Sequence, residues 1–291
     1  MKLPTPAANL FFRNAVIVGV GLLGGSIARD LLHHNLSETV VGFGRSQENL
    51  LYAQKNGIIS HIGHDLVSAL AIADLVVLAM PVGSFAGFLD KYAGLIRSQT
   101  LVMDVGSTKT SIAKLGDKYF SAGNFVPCHP MAGSEKSGAG ASQLNLFEGK
   151  TCLLTPGAKT KAKFTTLAHK FWKALGARTQ VLKPVEHDRL LASTSHLPQV
   201  VASVLMSAVA KSVPPRKLAS LVGNGFRDTT RIAASDAVLW TDIVLDNRDN
   251  LRKAIKGLQT ELVAFSKSLG KADAKALQNY FKKASDLKKK I

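Results

Sequence analysis

Three glycines, Gly19, Gly21 and Gly24, stand in the run Gly19-Val-Gly21-Leu22-Leu23-Gly24, between a short β-branched apolar stretch and a segment of helical periodicity. At such a strand-to-helix junction the first glycine permits a tight turn, the second lets the main chain approach a phosphate, and the third lets the helix pack close on the strand. The helix that opens with Leu22 and Leu23 then points its N-terminal N–H groups at a pyrophosphate. The segment from Asn14 to about Arg45 therefore reads as a βαβ unit for a nicotinamide dinucleotide. An NAD site ordinarily carries a carboxylate roughly 20 residues past the glycines to bind the ribose 2′-hydroxyl. Here the position holds Gly44-Arg45-Ser46, and an arginine beside a hydroxyl suits a 2′-phosphate, which favours NADP over NAD. The alternative is that Arg45 stacks on the adenine and discriminates little. Pro81, at the end of a later predicted strand, completes the cofactor-lining set.

Two further segments, Val102-Met-Asp104-Val-Gly106-Ser107-Thr-Lys109 and Pro127-Cys-His129-Pro130-Met-Ala-Gly133-Ser134-Glu135, each follow a predicted strand. Loops beyond strand C-termini line the ligand crevice of an open α/β sheet, so Ser107, His129 and Glu135 are expected to converge beside the nicotinamide. His129 stands where a general base could serve a hydride transfer. Later, Ser193-Thr-Ser195-His196-Leu-Pro198-Gln199 interrupts a helix with polar groups, and a stretch carrying Arg227 and Arg231 joins two helices. Each could equally be structural, as a helical histidine with satisfied partners or as arginines paired with Asp228 or Asp236. No metal site is expected.

The elements that must position these residues alternate in type. Asn14–Gly19, Val40–Phe43, Leu75–Met80 and Leu101–Val105 read as buried strands, followed by helices over Leu22–His34, Gln47–Asn56, Phe85–Leu95 and Thr110–Phe120. Strands around Thr151–Thr155 and Arg178–Leu182 flank a lysine-rich helix, Thr160–Leu175. After Pro184 the pattern is helical throughout: His187–Lys211, Pro214–Val222, Asp236–Asn247, Leu251–Ser268 and Lys271–Lys289. The expectation is α/β, a doubly wound Rossmann-type parallel sheet over residues 11–184, with a second, all-helical C-terminal domain over 185–291.

Composition bounds the rest. At 291 residues, with 46% apolar and 20% charged residues, the chain is long enough for two cores and has no disordered tract. No apolar run reaches the ~20 residues a bilayer requires, and the N-terminus lacks the apolar core of a secretory signal, so no membrane role is expected. Two cysteines, Cys128 and Cys152, are no disulfide framework and fit a reducing cytoplasm. The charge of +17 is concentrated late, at Lys271, Lys275, Lys282, Lys283, Lys288, Lys289 and Lys290. Without interleaved aromatics for base stacking, these read as a solvated helix face that attracts anionic ligands, and not as a nucleic-acid site.

Taken in order, GVGLLGGS, VGSTK, HPMAGSEKSG, SHLP and FRDTTRIAASD followed by Trp240-Thr-Asp242-Ile resemble the prephenate and arogenate dehydrogenases, over about Val16 to Asn250. The resemblance implies oxidative decarboxylation of a cyclohexadiene ring in tyrosine biosynthesis, with NAD(P) as acceptor and prephenate, arogenate or both as substrate. It further implies that His129 takes the proton of the ring hydroxyl, Ser107 orients that hydroxyl or the histidine, and Arg231 clamps a substrate carboxylate bidentately. His196, Gln199 and Arg227 would lie near the substrate side chain or the mouth of the cleft, and Glu135 would form part of a gate. Trp240 is expected to pack the helical domain. A homodimer formed through the helical domain is implied as well. Competing readings are another two-domain NAD(P) dehydrogenase, acting on β-hydroxyacids or cyclic imines, and a non-catalytic dinucleotide sensor or nucleic-acid binder.

Overall fold

The structure, a computed structural model, describes residues 12–134 and 136–290. Its first half is built on strands β1 (Phe12–Val18), β2 (Ser37–Phe43), β3 (His61–Ile62), β4 (Leu75–Leu78), β5 (Leu101–Asp104), β6 (Phe125–Pro130), β7 (Thr151–Leu154) and β8 (Arg178–Val181). They form one sheet in the order β3-β2-β1-β4-β5-β6-β7-β8. Every neighbouring pair is parallel except β6 and β7, which are antiparallel. The chain order reverses between β1 and β4, and that switch point is where an open α/β sheet leaves a crevice beyond its strand ends.

Helices α1 (Leu22–His33), α2 (Gln47–Lys55), α3 (Leu66–Ile72), α4 (Phe85–Tyr92), α5 (Thr110–Tyr119) and α6 (Ala162–Ala174) cover both faces of the sheet. The apolar runs of the strands are continuous because both faces need filling. Ala15 and Ile17 of β1, with Leu75 and Val77 of β4, pack under Ile27 and Leu31 of α1, Leu50 of α2 and Phe171 and Trp172 of α6. Their neighbours Val16, Val18, Val76 and Leu78 pack on the opposite face against Leu70 of α3, Phe85 and Leu89 of α4 and Ile112 of α5. Each valine, leucine, isoleucine and phenylalanine among them, fully removed from water, stabilises by ~1.5–3 kcal/mol, and together they fix the strand ends that carry the site.

From Pro184 onward the chain is helical: α7 (Pro184–Leu191), α8 (Leu197–Ser212), α9 (Pro215–Leu221), α10 (Asn224–Thr230), α11 (Ala237–Asp246), α12 (Arg248–Gly270) and α13 (Ala274–Lys288). Two segments differ from the sequence expectation. The single helix expected over His187–Lys211 is broken by a π-turn at Ala192–His196, where an extra residue per turn swings His196 inward. The connection expected around Gly223–Ala233 instead holds α10 and a 3-10 turn, Arg231–Ala234. This half has little core of its own. Among the described residues α12 buries only Leu251 and α13 buries none, while Leu262, Val263, Leu269, Phe281 and Leu287 stand exposed. No described helix is long and apolar enough to cross a membrane.

Candidate active site

The glycine loop leaves β1 with Gly19 at φ +103°, in the left-handed region that side chains resist. A Cβ there would lie 2.3 Å from the Ala79 carbonyl oxygen, and one on Gly24 would lie 2.1 Å from the Gly19 oxygen. Both positions are closed by close packing of loop, helix and β4. Gly21 is the reverse: a Cβ would meet nothing within 4 Å, and the N-terminus of α1 above it has no side-chain cap. Open space over uncapped N–H groups is what a pyrophosphate requires, so the loop fits a dinucleotide. Leu22 and Leu23 form the first turn of α1. Pro81 follows β4 across the switch point and leads into a 3-10 turn, Val82–Ser84.

Beyond β2, Gly44, Arg45 and Ser46 are all exposed. The Ser46 hydroxyl accepts from Asn49 N at 3.2 Å and caps α2, so it has a structural task beside any ligand contact. Asn49, which the motif did not single out, ties the region together: its Nδ2 donates to Val20 O at 2.8 Å and its Oδ1 accepts from Ala139 N at 2.7 Å.

The chemistry-bearing cluster lies at the ends of β5 and β6. His129 is inside β6, not in a loop after it, and is 8% exposed. Its Nδ1 is 2.8 Å from His187 Nε2, and His187 Nδ1 is 2.9 Å from Asp188 Oδ1. Asp188 also accepts the backbone N–H groups of Lys109 and Thr110, each at 2.8 Å, which pins the segment carrying Ser107. Behind this, the fully buried Lys109 ammonium pairs with Asp104, whose carboxylate also accepts Gly106 N at 2.7 Å and Cys128 N at 3.2 Å. The residue before His129 is thereby anchored to β5. Asn247, at the junction of α11 and α12, donates from Nδ2 to Asp188 O at 2.7 Å and faces His196 Nδ1 at 3.1 Å.

Burial governs the electrostatics. The His129 imidazole is held well below the usual histidine range by burial, reinforced by the neighbouring His187, Lys109 and His196. His196 is lowered to about 4 by burial, with Asp188 and the Ser107 backbone opposing. Burial alone would raise Asp188, but the hydrogen bonds from His187, Thr110 and Lys109 outweigh it and hold the carboxyl below its ordinary value. Burial pushes Asp104 up against the pull of Lys109 and its backbone donors. A buried, neutral imidazole at a strand end, backed by a carboxylate, is equipped to take a proton.

The remaining candidates fall into two groups. Gln199 is buried on α8 and donates from Nε2 to Ile232 O at 2.9 Å, one residue from Arg231. Arg231, at the head of its 3-10 turn, and Arg227 on α10 are exposed. Glu135 lies outside the described residues. Trp240 packs within the helical half, its ring edge-on to His196 with centroids 6.1 Å apart, and so borders the site. His187, Asp188 and Asn247 were missed by the motif reading. The adjacent polar pair His187-Asp188 inside an apolar-periodic helix was the available signal.

Residues 27–181 match the prephenate dehydrogenase nucleotide-binding domain, and residues 183–283 match the prephenate dehydrogenase dimerization domain. The chain is 34% identical over 274 residues to prephenate dehydrogenase of Bacillus subtilis, covering 93% of this chain and 74% of that one. It is 31% identical to cyclohexadienyl dehydrogenase of Zymomonas mobilis, covering 94% of each. The fold superposes on the crystal structure of prephenate dehydrogenase from Aquifex aeolicus, in complex with hydroxyphenyl propionate and NAD+, with a TM-score of 0.89 at 32% identity, over 96% of this chain and 98% of that one. A dinucleotide loop at the switch point, a buried histidine on β6 and matches along both halves lead to one assignment: the chain belongs to the prephenate dehydrogenase family of oxidoreductases.

Proposed function

We propose that the chain catalyses NAD(P)-dependent oxidative decarboxylation of prephenate to 4-hydroxyphenylpyruvate, of arogenate to tyrosine, or of both. The observation that carries this is His129: buried, neutral and backed by His187 and Asp188 at the C-terminal end of β6. The nicotinamide supplies the acceptor for the hydride on ring carbon C4. His129 Nε2 takes the proton of the C4 hydroxyl as the carbonyl forms, and the ring carboxylate leaves as carbon dioxide with aromatisation as the driving force. Ser107 orients the hydroxyl from its pinned loop. Arg231 clamps a carboxylate with its planar fork, and Gln199, His196 and Arg227 line the side-chain end. Gly19, Gly21 and Gly24 hold the pyrophosphate, and Arg45 with Ser46 takes a 2′-phosphate, so NADP is favoured.

The division falls at about residue 184, between a dinucleotide domain and a helical domain that forms a homodimer. The apolar residues left uncovered on α12 and α13 support that dimer, since a patch of this kind needs a partner surface. The buried free thiols of Cys128 and Cys152 support a reducing cytoplasm. Steady-state kinetics with prephenate or arogenate against NAD or NADP tests substrate and cofactor together, and turnover of none of the four pairs refutes the proposal. His129→Asn is expected to remove most of kcat while leaving dinucleotide affinity intact; near-normal kcat would take His129 out of the mechanism.

A further inference from the structure

Asp188 touches both site histidines by routes of opposite electrical sense. Its carboxylate accepts three hydrogens, from Lys109 N, Thr110 N and His187 Nδ1. A carboxylate has none to give, so His187 carries its proton on Nδ1 and presents a bare Nε2. With that proton on Nδ1, the ring offers Nε2 as an acceptor. The His129 Nδ1 that faces His187 Nε2 must then be the donor, and His129 is left with a bare Nε2.

The second route runs through the Asp188 main chain. Its carbonyl can only accept, so the Asn247 atom 2.7 Å away is the amide NH2. Asn247 Oδ1 is engaged by Asn250 Nδ2 at 2.9 Å, which fixes the same orientation. The second amide hydrogen points to His196 Nδ1, which must be bare, and the His196 proton sits on Nε2. That Nε2 is buried, with no partner at strict hydrogen-bond geometry and the Ser107 backbone as its neighbouring acceptor, which favours a proton there.

We propose that Asp188, acting through His187 and Asn247, is the positioning residue that sets the tautomers of both histidines in opposite directions: His129 presents an acceptor at Nε2 and His196 a donor at Nε2. One residue thus gives the site a base for the substrate hydroxyl and, on a second imidazole, a fixed N–H directed toward the Ser107 segment. His187 and Asn247 are positioning residues as well, acting through the rings they touch. The inference rests on the reading of His129 as the base.

The test is 15N NMR of the full-length protein labelled at histidine, near neutral pH and without substrate, with the two rings assigned by the loss of their signals in His129→Asn and His196→Asn. Expected are a protonated Nδ1 and bare Nε2 for His129 and the reverse for His196. The same tautomer on both rings, or a protonated His129 Nε2, overturns the proposal. Kinetics provide the second arm. His187→Leu should lower kcat about tenfold or more, with substrate KM and dinucleotide affinity unchanged. His187→Gln, whose amide can still accept from His129 and donate to Asp188, should recover most of the loss. Wild-type kcat in His187→Leu overturns the relay. Full turnover in His129→Asn refutes the base and leaves the tautomers to be read by NMR, so the two failures are distinguishable.

Discussion

Replacing Asp30 by asparagine should stabilise the protein at alkaline pH and leave it nearly unchanged in acid. Asp30 lies on the buried face of α1 with no exposure; its Oδ1 accepts Asn145 N at 2.8 Å, while Oδ2 has no partner among the described residues. Burial pushes the carboxyl from 3.8 up to about 6, against the opposing pull of Asn145 N–H and His34. The folded state therefore holds this proton more tightly than the unfolded chain does. The resulting stability is fully present below the unfolded value and is lost as pH rises through the folded one. A shift of about 2 units is worth ~3 kcal/mol at 1.36 kcal/mol per unit. Asparagine titrates nothing, keeps an acceptor for Asn145 and places an NH2 where the orphaned oxygen stands. The stability of Asp30→Asn minus that of the parent, from urea unfolding at fixed protein concentration, should thus grow by ~3 kcal/mol between about pH 4 and pH 8. Taking the difference cancels the titrating groups that do not interact with Asp30. A difference that is flat with pH, or that shrinks as pH rises, refutes the reasoning.

Three other substitutions probe the site. Arg231→Ala should raise substrate KM by about tenfold to a hundredfold with a smaller change in kcat, and an unchanged KM contradicts the clamp. Arg45→Asp should move preference toward NAD, read as the ratio of kcat/KM for the two dinucleotides, and a constant ratio removes Arg45 from the ribose site. Gly24→Ala and Gly21→Ala should part company: the first forces a Cβ against the Gly19 carbonyl and should lower the melting temperature, whereas the second meets no protein atom and should leave melting unchanged while weakening dinucleotide binding in a fluorescence titration. Equal melting temperatures for the two variants would contradict the packing described for the loop.

What could be read from the sequence was what local chemistry dictates. The strand, glycine loop and α1 are encoded within about 20 neighbouring residues, and each glycine has one steric reason to be there. The motif around His129 was visible too, but it was expected after its strand, whereas β6 runs through it. Pro127 and Pro130 argue against a ladder, yet β6 accommodates them because its two ladders use different stretches, residues 125–127 with β5 and 128–130 with β7, and each proline closes one of them. The site's supporting residues were harder to see. His187 meets His129 across 58 positions, and Asn247 meets Asp188 across 59, distances over which no periodicity carries information. The polar run over residues 193–199 marked an interruption of the helix but not its form, a π-turn at Ala192–His196. The exposed apolar residues of α12 and α13 follow the same helical pattern as buried ones, so the sequence could not show which of them find a partner within one chain.

Asp188 sits in the second turn of α7, the first helix after the sheet, while the N–H groups it accepts belong to the segment after β5. The two halves of the chain therefore cannot be exchanged as independent parts. A chimera that joined this sheet to a foreign helical half would keep its dinucleotide loop, yet it would lose the fixed orientation of His129 unless the graft supplied an adjacent histidine and carboxylate at that same turn. Natural or engineered recombination near residue 184 is constrained less by the continuity of the backbone than by this histidine–carboxylate pair, which must arrive with the incoming helix.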